Sequence, residues 1–407
     1  MKHTIKLAAG GRAMTLGLIA ALTTSTVAFA ECGVPNPPAP LDPEGVVAAM
    51  PEEVQAFYAG YPNEVYPSGF ADMERVEGPW KIGVSFGANL NAFTAGIIRQ
   101  AEEDFAKLKE EGVVTGEIQR AWSADAASQS PANQIAGFQD LMRAGVNAIV
   151  IVPLSGEALA PLVDQAGQQG IVTVAFGGYI PSDYAINMYQ NPYMNMAEVL
   201  SPILKDLDGK GNALMVRGLP IIPVDPQQYD ASLEMLADCP DINVVGTVEG
   251  GYVPAQAKTV VMQYLTANSE DIDLVVQTNA MQPGIISAFE QLGKSVPPVT
   301  ANVAQVGEMA YMKENPDYRT WGTVMGGANQ TEAAMRIALR TLAGQGPKAT
   351  EFAFIPPVVG PENAADYYVE ASTLNTDGEI NGEGQTILPD DVLDAFFERP
   401  DMPIKAE

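Results

Sequence analysis

From Lys81 onward the chain alternates short β-branched runs with stretches whose apolar residues recur every three or four positions. Ile82-Gly-Val-Ser-Phe86 is such a run, and Phe93, Ile97, Ala101, Phe105 and Leu108 then mark one face of a helix. Ala148-Ile-Val-Ile-Val152 and Ile171-Val-Thr-Val-Ala-Phe176 are continuously apolar, as strands buried on both faces are, and each follows a helical stretch. Repeated βαβ units predict a parallel sheet between layers of helix. The alternation then starts again. Residues 213–217, 244–248, 273–277 and 299–302 read as strands, with helices near 228–237, 254–267 and 282–292. A strand at 320–325, a long helix at 329–342 and a last strand near 352–355 follow. The predicted fold is α/β, with two doubly wound parallel-sheet lobes of ordinary domain size.

The two ends break this pattern. Lys2, His3, Lys6 and Arg12 precede the apolar run 14–22 and the small residues around Ala28-Phe-Ala30, the three parts of a secretory signal peptide. Cleavage is expected after Ala30. The run is too short for the ~20 residues that span a bilayer, so the mature protein is expected outside the cytoplasm, in the periplasm, without membrane insertion. Glu31 before Cys32 argues against lipid attachment at that cysteine. Residues 31–80 form a proline-rich arm with one short helical stretch near 52–58. Its aromatics, Phe57, Tyr58, Tyr61, Tyr66 and Phe70, point to an arm that wraps the body, against the alternative of a disordered linker. Residues 371–407 read as an acidic, mostly irregular tail with a short amphipathic stretch at 392–397.

Charge and rare residues narrow the function. Fifty Asp and Glu against 22 Lys and Arg give a formal net charge of −28, which repels phosphate backbones and anionic lipids. Nucleic acid is therefore not an expected partner. His3 is the single histidine and leaves with the signal peptide. Ser-His-Asp, Cys-His and histidine-metal sites are excluded from the mature chain; catalytic and metal residues are expected to be none, and no cofactor is implied. Cys32 and Cys239, the only cysteines, are expected to pair in an oxidising compartment, the alternative being two free thiols. Gly293-Lys-Ser295 is not a phosphate loop, because Ala288 stands where the first glycine belongs. Asp377-Gly-Glu379-Ile-Asn381-Gly382 resembles half a calcium loop, but its closing carboxylate is replaced by Leu388, so a solvated acidic turn is expected.

Over residues 81–370 the chain resembles a type I periplasmic binding protein of the ribose and galactose class, the extracytoplasmic receptors of ABC importers. The resemblance is carried by Lys81-Ile-Gly-Val-Ser-Phe-Gly-Ala-Asn-Leu-Asn91-Ala-Phe93, by 139–153 ending in Ile-Val-Ile-Val-Pro153, and by 262–268 followed by Asp273-Leu-Val-Val-Gln-Thr-Asn279. It implies a three-segment hinge, here near 186–190, 324–327 and 348–352, with the ligand between the lobes. The lobes would comprise 81–188 with 326–350, and 189–325 with 351–370. In open α/β sheets ligands lie beyond the carboxyl ends of the strands, which agrees.

The candidate ligand residues follow from both lines of reasoning. Asn89, Asn91 and Phe93 match the family's asparagine and phenylalanine positions after the first strand, with helix packing as the alternative for Phe93. Asn279 ends the matched strand of the second lobe, Tyr252 falls where the family often places an aromatic, and Gln190 lies on the first crossing. Trp122 follows the second strand. Phe176, Tyr179, Asn302 and Met325 are weaker candidates, and Asp225 is a loop acid that either accepts ligand hydroxyls or is solvated. The family's charged residues are missing where Ala175-Phe-Gly-Gly-Tyr179, Asn302-Val-Ala304 and Ala280 stand. The pocket therefore reads as neutral and aromatic. The expected function is capture of a neutral hydroxylated solute, a sugar or polyol, by a monomer that delivers it to an inner-membrane ABC permease. The alternatives are a receptor for a nucleoside or signal feeding a chemosensor, a carboxylate-based hydrolase, and a structural role for the arm and tail.

Overall fold

The structure, a computed structural model, describes residues 31–87, 91–121, 129–380 and 386–405. The arm carries one turn of helix, α1 (Glu52–Gln55). The body then runs β1 (Ile82–Ser85), α2 (Ala92–Glu110), β2 (Gln119–Arg120), α3 (Pro131–Arg143), β3 (Ala148–Ile151), α4 (Gly156–Gln168), β4 (Val172–Phe176) and β5 (Ala185–Gln190). A second series follows: α5 (Pro192–Asp206), β6 (Lys210–Arg217), α6 (Val224–Ala237), β7 (Asp241–Glu249), α7 (Pro254–Ala267), β8 (Leu274–Gln277), α8 (Gln282–Gln291), α9 (Val306–Glu314) and β9 (Gly322–Thr323). The chain returns through α10 (Gly327–Leu342) and β10 (Glu351–Phe354), then β11 (Val358–Val359) and α11 (Asp390–Ala395).

The first sheet has the order β10-β5-β4-β3-β1-β2, with every pairing parallel. β1, β3, β4, β5 and β10 are buried along their whole length, as their unbroken apolar runs require when helices cover both faces. The second sheet is β7-β6-β8, also parallel, and single bridges from Val275 to Val299 and from Ala301 to Gly322 extend it towards β9. β11 closes that edge antiparallel to β9.

Three sequence expectations shift. The lobe limits at 188/189 and 350/351 cut through paired strands. β5 continues to Gln190, and β10 lies beside it in parallel with Phe354 opposite Gln190. Residues 351–354 therefore complete the first sheet, and the third crossing falls at 355–357 instead of 348–352. The first crossing likewise moves to Asn191, after which α5 packs with β6 and α6 in a second-lobe cluster.

The arm begins on the second lobe, where Cys32 is bonded to Cys239 just beyond α6 (S–S 2.03 Å). It passes the first crossing, where Asn191 Nδ2 donates to Phe57 O (2.8 Å) and Ala59 O (2.7 Å). It then enters the first-lobe core through Tyr58, Tyr61, Val65, Phe70 and Trp80. The tail is not the solvated appendage that its acidity implied. Leu374 and Ile380 belong to the second-lobe core. Leu388, Leu393, Phe396 and Phe397 belong to the first-lobe core, with the Phe396 ring stacked on Phe352 at 4.5 Å. Its acids Asp390 and Asp394 meet Arg336 and Arg340 on α10. Glu379, from the calcium-like string, is buried and turns Oε2 onto the Gly327 N–H at the start of α10 (2.7 Å).

One buried acid ties the arm to the sheet. Glu351 on β10 accepts from Tyr61 Oη (2.6 Å) and Asn187 Nδ2 (2.7 Å), and its backbone carbonyl accepts from Tyr58 Oη (2.6 Å). Burial pushes its carboxyl up to about 8, against the lowering effect of the Tyr61 and Asn187 hydrogen bonds. The native state then holds this proton more tightly than the unfolded chain. Stability from this group is fully present below the ordinary carboxylate range and is lost as pH rises towards 8. In thermal unfolding at pH 5 and pH 8, Glu351→Gln is expected to show a smaller loss between the two than the wild type. At pH 8 the variant should be the more stable by an amount on the order of a few kcal/mol. Parallel curves for the two proteins would contradict this.

Candidate functional site

The carboxyl ends of six strands converge on one cavity between the lobes. β1 leads into Phe86 and Gly87, β3 into Val152 and Leu154, and β4 into Gly177, all lining it from the first lobe. β6 leads into Leu219, β7 into Gly251 and Tyr252, and β8 into Asn279 and Ala280, lining it from the second. Gln190, the last residue of β5 before the first crossing, and Met325, from the second, line it at the hinge. The cavity measures about 170 Å³, comparable with the ~150 Å³ of a cavity that encloses a benzene-sized molecule. Across it, Ile222, Val224 and Tyr252 of the second lobe share an apolar cluster with Phe86, Phe93 and Val152 of the first. The lobes are closed onto each other.

The walls carry local strain and close approach. Among the described residues four non-glycine positions have positive φ, and two of them, Tyr252 (61°) and Ala280 (53°), line the cavity. Such conformations cost on the order of 1–3 kcal/mol and collect where structure is committed to a ligand. Gly218 makes room for the Tyr252 ring, since a Cβ there would lie 2.1 Å from it.

Six of the twelve candidate ligand residues line the cavity: Asn91, Phe93, Gln190, Tyr252, Asn279 and Met325. Their roles differ. Asn91 is the N-cap of α2, its Oδ1 accepting from Thr94 N (3.1 Å), while its Nδ2 donates across the cleft to Tyr252 O (3.3 Å). Both ends of that amide are engaged by protein. Gln190 Oε1 and Asn279 Oδ1 are buried and accept no hydrogen bond within the protein. The Tyr252 hydroxyl stays neutral, because burial and then the charge of Asp225 hold it well above the usual phenol range.

Four candidates lie elsewhere. Phe176 is fully buried behind the wall, edge-on to Phe86 at 6.0 Å, because it is still within β4. Tyr179 has passed the sheet edge; its carbonyl packs on α4 so tightly that a Cβ on Gly156 would lie 1.8 Å away. Asp225 is neither a ligand acceptor nor solvated. It sits in the first turn of α6, fully buried, accepting from Arg217 Nε (2.9 Å), Gly218 N (2.6 Å) and Thr278 Oγ1 (2.9 Å). Asn302 is completely buried away from the cavity wall, with its amide unpartnered. Asn89 and Trp122 lie outside the described residues.

The sequence reading missed Thr94, Gln330 and the aliphatic loop of Leu219, Ile222 and Val224. Gln330 carries a third free amide oxygen; its Nε2 donates to Met325 O (3.2 Å) and its Oε1 is unpartnered. Its place in the first turn of α10, directly after the second crossing, was a usable signal. No Asp, Glu, Lys or Arg occurs among the described lining residues. The hydrogen-bonding side chains among the described lining residues are neutral amides and hydroxyls.

Two parallel-sheet lobes, strand ends facing each other, and a guest-sized cavity over a hinge define a two-lobed binding protein. The model of the periplasmic binding protein domain matches residues 82–346, and the chain belongs to that family. Over 176 residues it is 29% identical to the D-xylose-binding periplasmic protein of Escherichia coli (strain K12), covering 42% of this chain and only 53% of that protein. Over 280 residues it is 21% identical to the xylitol-binding protein of Mycolicibacterium smegmatis, covering 68% of this chain and 79% of the other. The crystal structure of an ABC transporter solute binding protein from Thermobispora bispora superposes with a TM-score of 0.63 at 23% identity, covering 74% of this chain and 91% of that one. That likeness shows the fold.

Proposed function

We propose that this protein captures a neutral hydroxylated solute, a sugar or polyol, between its lobes and delivers it to an inner-membrane ABC importer. The observation that carries the reading is an interlobe cavity with no charged side chain among its described lining residues, of which Gln190, Asn279 and Gln330 each carry a buried amide oxygen without a partner. Such oxygens are costly to bury unsatisfied and accept hydroxyl protons well. The xylose- and xylitol-binding relatives support the same class of guest. The site is then formed by Phe93, Gln190, Tyr252, Asn279, Met325 and Gln330, with Asn91 closing the cleft. The lobes are 81–190 with 327–354, and 191–324 with 358–380. Cleavage of the signal peptide after Ala30 would release the protein into the periplasm, where the disulfide forms. No helix of the described chain is long and apolar enough to cross a membrane.

Calorimetric titration with neutral sugars and polyols beside amino acids, uronates and nucleosides tests the proposal. The expected result is one tight neutral guest per chain and no binding of charged solutes. Tight binding of a charged solute alone would overturn it.

A further inference from the structure

Resting on that reading, the cavity also specifies which kind of neutral solute fits. Its free hydrogen-bonding side-chain atoms are unevenly placed. Among the described lining residues four side-chain oxygens are buried without a partner: Gln190 ends β5 at the first crossing, Gln330 follows the second and Asn279 follows β8, while the fourth, Tyr252 Oη, sits at the ring tip that packs on Gly218 in the field of Asp225. The second-lobe loop entering α6 brings only Leu219, Ile222 and Val224, none with a polar side-chain atom, and Val253 beyond β7 adds another aliphatic surface. Across the cleft these residues meet Phe86 and Phe93. A hydroxyl turned to the described side chains of that loop would lose water and find no partner among them, whereas a methyl or methylene would gain burial.

We propose that the solute is amphiphilic: a neutral deoxy or alkyl-substituted sugar or polyol, its hydroxyls on the hinge amides and its apolar end under the 219–224 loop. A solute hydroxylated on every carbon fits the cavity volume but leaves a buried hydroxyl unpartnered. The penalty is paid on binding, so it reads directly as discrimination between two guests that differ in one group.

The test is calorimetric titration with matched pairs: 6-deoxyhexoses and methyl glycosides, each against its parent sugar. The expected result is a Kd about tenfold lower or better for the apolar member of the best-binding pair. Val224→Thr keeps the side-chain shape and adds a hydroxyl, and should shrink that ratio to about threefold or less, with a lower melting temperature because Val224 is buried in the apolar cluster. Leu219→Gln, on an exposed side chain, repeats the test should Val224→Thr unfold. Parent sugars binding as tightly as their deoxy or methyl partners in every pair would overturn this inference and leave the proposed function standing. If no neutral sugar or polyol of either kind binds while a charged solute does, the proposed function fails, and this inference fails with it.

Discussion

Cys32→Ser/Cys239→Ser should unfold in denaturant with about 5 kcal/mol less stability than the disulfide-bonded protein. The bond joins residues 207 apart in sequence, and in the loop-entropy account a closure of that length restricts the unfolded chain by about 5 kcal/mol. Against the ~5–15 kcal/mol that natural domains possess, this is a large share. The folded state has few means of compensating. Between Cys32 and the aromatic anchors at Tyr58 and Tyr61, one tie to the second lobe is the backbone N–H of Asn36 donating to Tyr193 Oη (3.0 Å). The loss should appear in equilibrium urea unfolding as a lower midpoint, with a steeper slope as the uncrosslinked chain expands. A midpoint shift worth less than about 1 kcal/mol would mean that the denatured chain is already compact around this loop.

Gln190→Ala/Asn279→Ala should weaken binding of the neutral guest about a hundredfold while leaving the melting temperature within a few degrees. Each side chain presents an oxygen that no protein group uses, so truncation removes a ligand hydrogen bond and orphans no internal donor. A net hydrogen bond is worth about 1–1.5 kcal/mol, roughly tenfold in affinity, and the two residues come from different elements, β5 and the end of β8. Asn91→Ala should behave differently. That amide caps α2 and reaches Tyr252 O across the cleft, so its loss should lower stability by about 1 kcal/mol as well as affinity. Isothermal titration and thermal unfolding on the same samples separate the cases.

The body of the fold was legible because its strands are continuous apolar runs between helices of clear period. α7, expected at 254–267, is Pro254–Ala267, and α8 and α10 begin within two residues of their expected starts. α5 and α9 were not seen. α9 is buried from Val306 through Met312 and so lacks the amphipathic alternation that marks a surface helix, whereas α5 carries that alternation and an Asn191 cap and was a missed signal. The lobe of β10 was misjudged for a different reason: Glu351-Phe-Ala-Phe354 reads as a strand, but nothing in four residues names β5 as its neighbour. In the tail, Leu388, Leu393, Phe396 and Phe397 anchor a segment whose average composition is that of a solvated one.

At the site, residues directly following a strand could be placed, as Tyr252 and Asn279 were. Phe176 and Tyr179 failed by position along the same strand exit, one residue still in the sheet and the other already past it. Asp225 failed through Arg217, eight positions earlier, whose guanidinium occupies the carboxylate. The 219–224 loop becomes a neighbour of the first-lobe wall only when the second lobe closes on the first, a relation no local pattern encodes.

Enclosure of one neutral hydroxylated guest by the cleft is open to direct test by native mass spectrometry of the protein incubated with a sugar and polyol mixture, resolved by the mass of what it retains. One neutral polyhydroxylated molecule should remain per chain and be absent from Gln190→Ala/Asn279→Ala treated in the same way. Retention of the same molecule by that variant, or a charged solute in its place, would contradict the claim.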